Sequence, residues 1–114
     1  MIWVKQNKYG NQKTTVDGIT FDSRKEASRW QELRLMERAG EIVGLKRQLR
    51  IELIPATKLY RAVSYVADFV YFDKRTNQTV YEDVKGYKGG SAYQIFSLKK
   101  KLLYWRHGIE IKEV

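Results

Sequence analysis

Charged side chains fall at positions of this sequence where an apolar core would be expected. Asp68 is the only charged residue in a run of β-branched and aromatic residues at 64–72, and Asp83 and Lys85 lie two residues apart in a second such run at 79–85. Because successive side chains of a strand point to opposite faces, Asp83 and Lys85 are predicted to share one face. Burying an unpaired charge costs free energy, so charges at such positions indicate a partner or a chemical purpose.

Two carboxylates on neighbouring strands and a nearby lysine are the parts of a metal-assisted hydrolysis site. Neighbouring strands lie about 4.8 Å apart, so Asp68 and Asp83 can converge on one hard cation such as Mg²⁺ or Mn²⁺. The cation would polarise a phosphoryl oxygen and lower the pKa of a bound water. Lys85 would hold or deprotonate that water, or stabilise charge on the phosphate. A cross-strand salt bridge, or an aspartate that caps a neighbouring backbone, explains the same residues without catalysis.

A third carboxylate is predicted on the first helix. Ser23 and Glu26 have the spacing of a capping box, and the helix is expected to run to about Ala39 and to stop at Gly40. At 100° per residue, Glu26 falls on the face that should meet the sheet. It could then bind the cation directly or through water, although the capping box alone also accounts for a glutamate there.

Short alternating runs predict the strands around these residues. Residues 49–54 alternate apolar and polar side chains and end at the only proline, Pro55. Polar turn residues at 73–78 join the two runs that carry Asp68 and Asp83, which predicts an antiparallel hairpin. Residues 109–114 alternate again and predict a last strand.

A second helix is predicted between the hairpin and the last strand. Ser91 and Gln94 repeat the capping pattern, and the helix is expected to reach about Arg106 and to close at Gly108. The predicted order is α-β-β-β-α-β, an α/β (α+β) fold with a mixed sheet flanked by two helices. The last strand is expected to be parallel to its neighbour, because strand–helix–strand units form right-handed crossovers.

The apolar face predicted for this second helix contains one lysine at its middle. The apolar side chains are expected to be Ala92, Ile95, Phe96, Leu98, Leu102 and Leu103. Lys99 falls among them, whereas Lys100 and Lys101 are expected to project outward. A charge within an apolar face indicates a partner or a purpose, but long lysines also bury their stems with no such role.

The charge balance indicates a polyanionic partner. The chain has 114 residues, the size of one domain, and 22 Lys and Arg against 13 Asp and Glu give a net charge of +9. Nonspecific or ribosome-like basicity is the alternative explanation. The basic residues that we expect to contact the phosphates of such a partner lie on and around the two helices: Arg24, Lys25, Arg29, Lys88, Lys100 and Lys101.

The composition also excludes several classes of site. There is no cysteine and only one histidine, His107, which excludes disulfides, Cys/His zinc sites and thiol nucleophiles. No apolar run approaches the roughly 18–20 residues that cross a bilayer, so we expect a cytoplasmic protein without a membrane partner. Residues 1–15 are expected to be a flexible basic arm, with three lysines at 5–13, and residues 16–114 a single domain.

Six short motifs occur in order over roughly residues 8–114. They are Gly18-Ile19-x-Phe21-x-Ser23-x-x-Glu26, Ala39-Gly40-Glu41-Ile42, Leu45 with Gln48, Tyr65-x-Ala67-Asp68-Phe69, Glu82-Asp83-Val84-Lys85-Gly86 and Leu98-Lys99-x-Lys101-Leu102. Together they resemble a small phage and prophage branch of the PD-(D/E)XK nuclease superfamily, whose restriction-endonuclease-like core has the α-β-β-β-α-β order. Ala67 stands where the superfamily name has proline, a residue that contributes backbone shape and no catalytic group.

The resemblance implies a divalent-metal-dependent DNA endonuclease. It implies that Asp68 and Asp83 bind Mg²⁺ or Mn²⁺, that Lys85 is the catalytic lysine and that Glu26 is the helix acid. It further implies that Gln48 or Lys99 lies beside the substrate phosphate.

The resemblance also carries expectations about substrate and assembly. Related phage nucleases include Holliday junction resolvases, which implies branched DNA as a substrate, a role in phage DNA replication or recombination in the bacterial cytoplasm, and a homodimer. The alternatives are a non-catalytic nucleic-acid-binding protein and a small structural or assembly protein of a phage. A protein that only binds DNA has no use for two carboxylates aimed at a phosphate, because they repel it.

Overall fold

Two helices and two sheets make up the part of the chain that the computed structural model describes, residues 12–86 and 88–114. In chain order the elements are β1 (Thr14–Val16), β2 (Ile19–Phe21), α1 (Arg24–Arg38), β3 (Ile42–Ile54), β4 (Val63–Asp73), β5 (Gln78–Asp83), α2 (Gly90–His107) and β6 (Ile111–Glu113). The larger sheet has the order β3-β4-β5-β6, antiparallel except for the parallel β5–β6 pair. The predicted α+β fold, with a mixed sheet and a parallel last strand, is confirmed.

The β1–β2 hairpin precedes the predicted core and was not foreseen. Its strands pair antiparallel around a two-residue turn in which Asp17 and Gly18 both have positive φ, 52° and 77°. β1 begins at Thr14, inside the segment that the sequence assigns to the arm. Residues 1–11, which hold most of the predicted arm, lie outside the described residues.

The helix ends confirm one capping prediction and correct another. The hydroxyl of Ser23 accepts the backbone N–H of Glu26 at 3.1 Å, as expected for the N-cap of α1. The N-cap of α2 is Gly89, without a side-chain hydrogen bond, and Ser91 lies inside the helix, so the second capping pattern was wrong. Gly108 closes α2 as predicted, in a left-handed conformation that glycine adopts at little cost.

The two helices pack on opposite faces of the larger sheet. The α1 face buries Phe21, Ala27, Trp30, Leu33, Ile42, Phe69 and Tyr71. The α2 face buries Leu53, Tyr65, Ala67, Val70, Phe96, Leu103 and Ile111. Each helix therefore covers its own apolar layer, and β4 contributes to both.

The alternation of side chains along β4 breaks at Asp68. Simple alternation predicts that Ala67 and Phe69 share a face, but Ala67 packs on the α2 side and Phe69 on the α1 side. Gln48 lies opposite Asp68, between the pairs Leu49–Ala67 and Arg47–Phe69, and has a positive φ of 52°. This irregular position interrupts the regular pleat of both strands. At Asp68, therefore, the alternation of side chains between the α1 face and the α2 face is shifted by one residue.

α2 packs through a narrower face than the sequence indicates. Phe96 and Leu103 are buried, whereas Ile95 and Leu98 are more than half exposed. Lys100 does not project outward as expected: its ammonium lies 3.0 Å from a carboxylate oxygen of Glu113. Within residues 12–86 and 88–114, neither helix is long and apolar enough to span a membrane.

Candidate active site

Gln48 connects two of the predicted site carboxylates. Its amide nitrogen lies 3.3 Å from Oε1 of Glu26 on α1 and 3.4 Å from Oδ1 of Asp68 on β4. The irregular backbone at Gln48 brings its side chain to this point. The side chain of Gln48 on β3 therefore connects α1 to β4.

The second oxygen of Asp68 fixes the chain that follows β5. Oδ2 accepts the backbone N–H of Val84 at 2.8 Å. The N–H of Lys85 in turn donates to the backbone oxygen of Val114 at 3.0 Å. The predicted strand 79–85 ends earlier, at Asp83. The first bond holds Val84 beside Asp68, and the second ties Lys85 to Val114, just after β6.

Asp83 is held from two sides. The ammonium of Lys85 lies 2.9 Å from Oδ1, and the hydroxyl of Tyr65 donates to Oδ2. The same ammonium lies 3.3 Å from the centroid of the Phe96 ring, a cation–π contact that orients the lysine. Asp83 and Lys85 therefore share a face, as the alternation of β5 predicts.

Burial and neighbouring charges raise the pKa values of two of the carboxyl groups. Burial, followed by repulsion from Asp68, raises the pKa of Glu26 from 4.5 to about 7, and Asp22 and Asp83 add to this repulsion. Burial also raises the pKa of Asp68 from 3.8 to about 6; the hydrogen bond from the Val84 N–H opposes this rise, and repulsion from Asp83 adds to it. Groups with such pKa values cluster at functional sites.

These five side chains, Glu26, Gln48, Asp68, Asp83 and Lys85, are called the carboxylate cluster below. Glu26 and Asp83 are each only 6% exposed, whereas Asp68 and Lys85 are half-buried and Gln48 is exposed. The cluster is therefore open to solvent on the side of Gln48 and not sealed within the core.

The capping-box explanation of Glu26 covers only half of the motif. The Ser23 hydroxyl caps the helix, but in the described residues the Glu26 carboxylate makes no return bond to the Ser23 backbone. Its hydrogen-bond partner is Gln48. The carboxylate of Glu26 therefore points toward the other acids and takes no part in capping the helix.

The donor chemistry of the cluster fits a hard divalent cation. Within residues 12–86 and 88–114, no three His, Cys, Asp or Glu side chains gather closely enough to form a ready metal site. Mg²⁺ commonly takes only one or two carboxylates and completes its shell with water, so Asp68 and Asp83 provide a sufficient pair. Burial is the main reason that the pKa values of Glu26 and Asp68 are raised, and a bound cation would favour the ionised form of both groups.

The basic residues expected to contact DNA differ in their exposure and in whether they bond other parts of the protein. Arg24, Lys88 and Lys101 are exposed, and Lys99 is half-buried. Lys25 is exposed and its ammonium donates to the backbone oxygen of Lys85 at 2.6 Å, which ties α1 to the cluster. The Lys100 ammonium pairs with Glu113. Contacts of these residues with DNA remain predictions.

A buried ion pair beside the cluster was missed by the sequence analysis. Arg29, expected at the DNA surface, donates from Nε and Nη2 to the two oxygens of Glu82 at 2.8 and 2.6 Å. Glu82 is fully buried and also accepts the hydroxyl of Tyr71. Arg29 therefore has a structural role. The sequence signal for this ion pair was Glu82, a charged residue on the same face of the predicted strand 79–85 as Val80 and Val84.

The sequence analysis also missed Tyr65 and Phe96 as parts of the site. Phe96 supplies the ring that the Lys85 ammonium contacts. Tyr65 is 4% exposed, and burial together with its bond to Asp83 raises the pKa of its hydroxyl well above the usual range. The hydroxyl therefore remains a hydrogen-bond donor near neutral pH. Its spacing in the Tyr65-x-Ala67-Asp68 motif was the only signal for it.

A sequence model of one protein family, described as a protein of unknown function (DUF1064), matches residues 6–112. The chain belongs to this family. The match to DUF1064 includes every residue of the carboxylate cluster and both helices. Searches of curated proteins and of solved structures found no match.

Proposed function

We propose that this chain is a divalent-metal-dependent endonuclease that hydrolyses phosphodiester bonds in DNA. The observation that carries the proposal is the convergence of Glu26, Asp68, Asp83 and Lys85 from α1, β4 and the end of β5 through Gln48, the Val84 N–H and the Asp83–Lys85 ion pair. The motif resemblance described above supports the same activity.

Each member of the cluster has a role in this proposal. Asp68 and Asp83 would hold Mg²⁺ or Mn²⁺, and Glu26 would bind it directly or through water. A bound cation supplies Lewis acidity toward a phosphoryl oxygen and a more acidic water. Lys85 is positioned by Asp83 and the Phe96 ring, so that its ammonium can donate to the attacking water or to a phosphate oxygen. The Gln48 amide is exposed at the open side, and its two N–H groups face Glu26 and Asp68. Once a cation takes their place at these acids, they would be free to donate to the substrate phosphate.

DNA as the substrate is supported by the charge of the chain. The net charge of +9 favours a polyanion, and exposed Arg24, Lys25 and Lys101 can neutralise phosphates around the site. Branched DNA such as a Holliday junction, action as a homodimer and a place in phage DNA recombination in the cytoplasm are part of the proposal. They rest on the resemblance alone.

The test is a cleavage screen with variants of the cluster. Purified protein is incubated with four-way junctions, flaps, duplex and single strands in the presence of Mg²⁺, Mn²⁺ or EDTA. We expect cleavage that EDTA abolishes, and a loss of at least about a hundredfold in Asp83→Asn and Lys85→Met, since each removes a group that acts on the reacting phosphate. Both variants should still shift DNA in a gel.

Asp73→Asn is the matched control. Asp73 is also a buried strand aspartate, 7% exposed, but it lies at the far end of β4 and bonds Arg75. It should cleave like the wild type. Wild-type protein that cuts none of the DNA forms, or Asp83→Asn protein that cuts as fast as wild type, would contradict the proposal and favour a non-catalytic nucleic-acid-binding protein.

A further inference from the structure

The turn between β3 and β4 displays two large apolar side chains to solvent. Leu59 is 82% exposed and Tyr60 is 74% exposed. The turn is closed by Thr57, whose backbone N–H donates to the oxygen of Tyr60 at 2.9 Å. The Thr57 hydroxyl also accepts the N–H groups of Leu59 and Tyr60 at 3.2 and 3.0 Å. A hydrogen-bonded turn therefore holds both side chains outward.

The base of the same hairpin is braced by the end of α2. Nη1 of Arg106 donates to the backbone oxygen of Leu53 at 2.8 Å, and Nε2 of His107 lies 2.7 Å from the backbone oxygen of Glu52. Arg106 also pairs with the Glu52 carboxylate at 3.2 Å. These contacts fix the direction of the hairpin relative to the sheet. The tip, residues 57–61, is presented as a preformed surface.

Positive charge surrounds the tip and continues along β3. Lys58 and Arg61 flank the two apolar side chains, and Lys46 and Arg50 are exposed on β3 on either side of Gln48. In the described part of the chain, none of these four cations forms an ion pair. An aromatic ring between free cations suits a single strand of nucleic acid, where bases stack and phosphates need neutralising.

We propose that the hairpin tip binds DNA, with Tyr60 stacked on an unpaired base, Leu59 packed beside it, and Lys58 and Arg61 on the adjacent phosphates. The inference rests on the proposed action on DNA and narrows the substrate to DNA with unpaired or easily unstacked bases. A protein partner would have less use for two unpaired cations around one aromatic ring, and it is an outcome of the test.

The strand geometry sets where that base must lie. Val63, at the start of β4, is five residues from Asp68, which is about 17 Å at the rise of a β-strand. Successive nucleotides of one DNA strand are about 3.4 Å apart. The stacked base is therefore expected about five nucleotides from the phosphate held at the carboxylate cluster where the strand between them stays stacked, and fewer where that strand is unpaired and extended.

The experiment measures binding separately from cleavage. The Asp83→Asn protein is titrated with a four-way junction, a flap and a duplex, each carrying 2-aminopurine at stepped distances of about two to ten nucleotides from the branch or centre. Stacking on Tyr60 should quench the fluorescence at one such distance in the branched forms. Adding Tyr60→Ala should abolish that quench and weaken binding to branched DNA at least about fivefold, because one stacked base contributes about 1–3 kcal/mol.

Two further variants separate stacking from other effects. Tyr60→Phe keeps the ring and should keep both the quench and the affinity. Tyr104→Ala removes another exposed tyrosine, 63% exposed on α2, and should change neither. The tip side chains are exposed, so all these proteins should keep the melting temperature of their parent.

The outcomes distinguish this inference from the nuclease proposal. Unchanged quenching and affinity in Tyr60→Ala would overturn the inference and favour another partner for the tip. An equal loss on duplex and branched DNA would overturn the claim of unpaired bases. Wild-type protein that shows Tyr60-dependent quenching but cleaves nothing would contradict only the nuclease proposal, and protein that binds no DNA would contradict both.

Discussion

The guanidinium of Arg29 binds the carboxylate of Glu82 through two hydrogen bonds, 2.8 and 2.6 Å long, between α1 and β5. Arg29 lies one helical turn after Glu26, and Glu82 lies immediately before Asp83. The pair therefore sets the position of the helix acid relative to the strand acid. Tyr71, whose hydroxyl also donates to Glu82, completes the fixed geometry.

Breaking this pair should destabilise the fold and misplace Glu26. Arg29→Met leaves Glu82 buried without a countercharge, and we expect a loss of about 3–5 kcal/mol in the free energy of unfolding by urea. Replacing both partners, Arg29→Met with Glu82→Met, should restore much of the stability, because an apolar pair avoids the buried charge. Cleavage should stay impaired in the double variant if the pair positions the cluster.

Glu32→Gln serves as the control for this series. Glu32 pairs with the same arginine at 2.9 Å, but its side chain is 62% exposed. The unfolding free energy should change by less than about 1 kcal/mol. A double variant with wild-type cleavage would show that the ion pair only stabilises the fold.

The hydroxyl of Tyr65 should matter for the affinity of the site for a cation. Tyr65→Phe removes the donor to Oδ2 of Asp83 and leaves that oxygen free to move. We expect weaker Mg²⁺ binding by calorimetry and slower cleavage, about tenfold each, as is typical when a group supporting a metal ligand is removed.

Tyr71→Phe is the matched comparison for Tyr65→Phe. Tyr71 is equally buried and its hydroxyl also donates to a buried carboxylate, Glu82, on the other face of the sheet. Both variants should lose about 1–2 kcal/mol of stability, since each removes one buried hydrogen bond. Only Tyr65→Phe should alter Mg²⁺ binding; equal effects of the two variants would contradict a special role for Tyr65.

The sequence predicted the parts of this site that depend on local periodicity. β5 alternates regularly, so the shared face of Asp83 and Lys85 followed from their spacing of two residues. The helix start at Ser23 followed from its capping pattern. The convergence of Glu26 with the strand acids was a hypothesis that needed the tertiary structure, because the capping box explained the same residue.

The parts that the sequence analysis missed depend on contacts between distant residues. Arg29 and Glu82 are 53 positions apart, and nothing local distinguishes Arg29 from its exposed neighbours. The shift in alternation at Asp68 depends on a positive φ at Gln48. Glutamine rarely adopts positive φ, so its occurrence at this position could not be predicted from the sequence. Strict alternation therefore failed at the residue on which the site depends.

The free energy of unfolding should fall as the pH rises from about 4.5 to 7 in the presence of EDTA. Glu26 has a pKa of about 7 in the folded protein and 4.5 as its reference value, so the folded state holds a proton that the unfolded state has lost. Stability decreases with pH wherever the folded state binds more protons. The contribution is on the order of 2–3 kcal/mol across that window.

Urea unfolding at a series of pH values checks this expectation. Glu26→Gln cannot ionise, so its stability should depend less on pH in this window and should exceed that of the wild type near pH 7. Glu110→Gln, at an exposed position just before β6, should keep the wild-type slope. A wild-type slope in Glu26→Gln would show that another group carries the proton.

Mg²⁺ should stabilise the protein more at pH 8 than at pH 6. The cation competes with the protons on Glu26 and Asp68, whose pKa values are about 7 and about 6, so binding at the lower pH must release them. We expect the rise in melting temperature with added Mg²⁺ to shrink progressively below about pH 7. Asp68→Asn should show little rise at either pH, whereas Asp73→Asn should behave like the wild type. A Mg²⁺ effect that is independent of pH and survives Asp68→Asn would place the cation away from the carboxylate cluster.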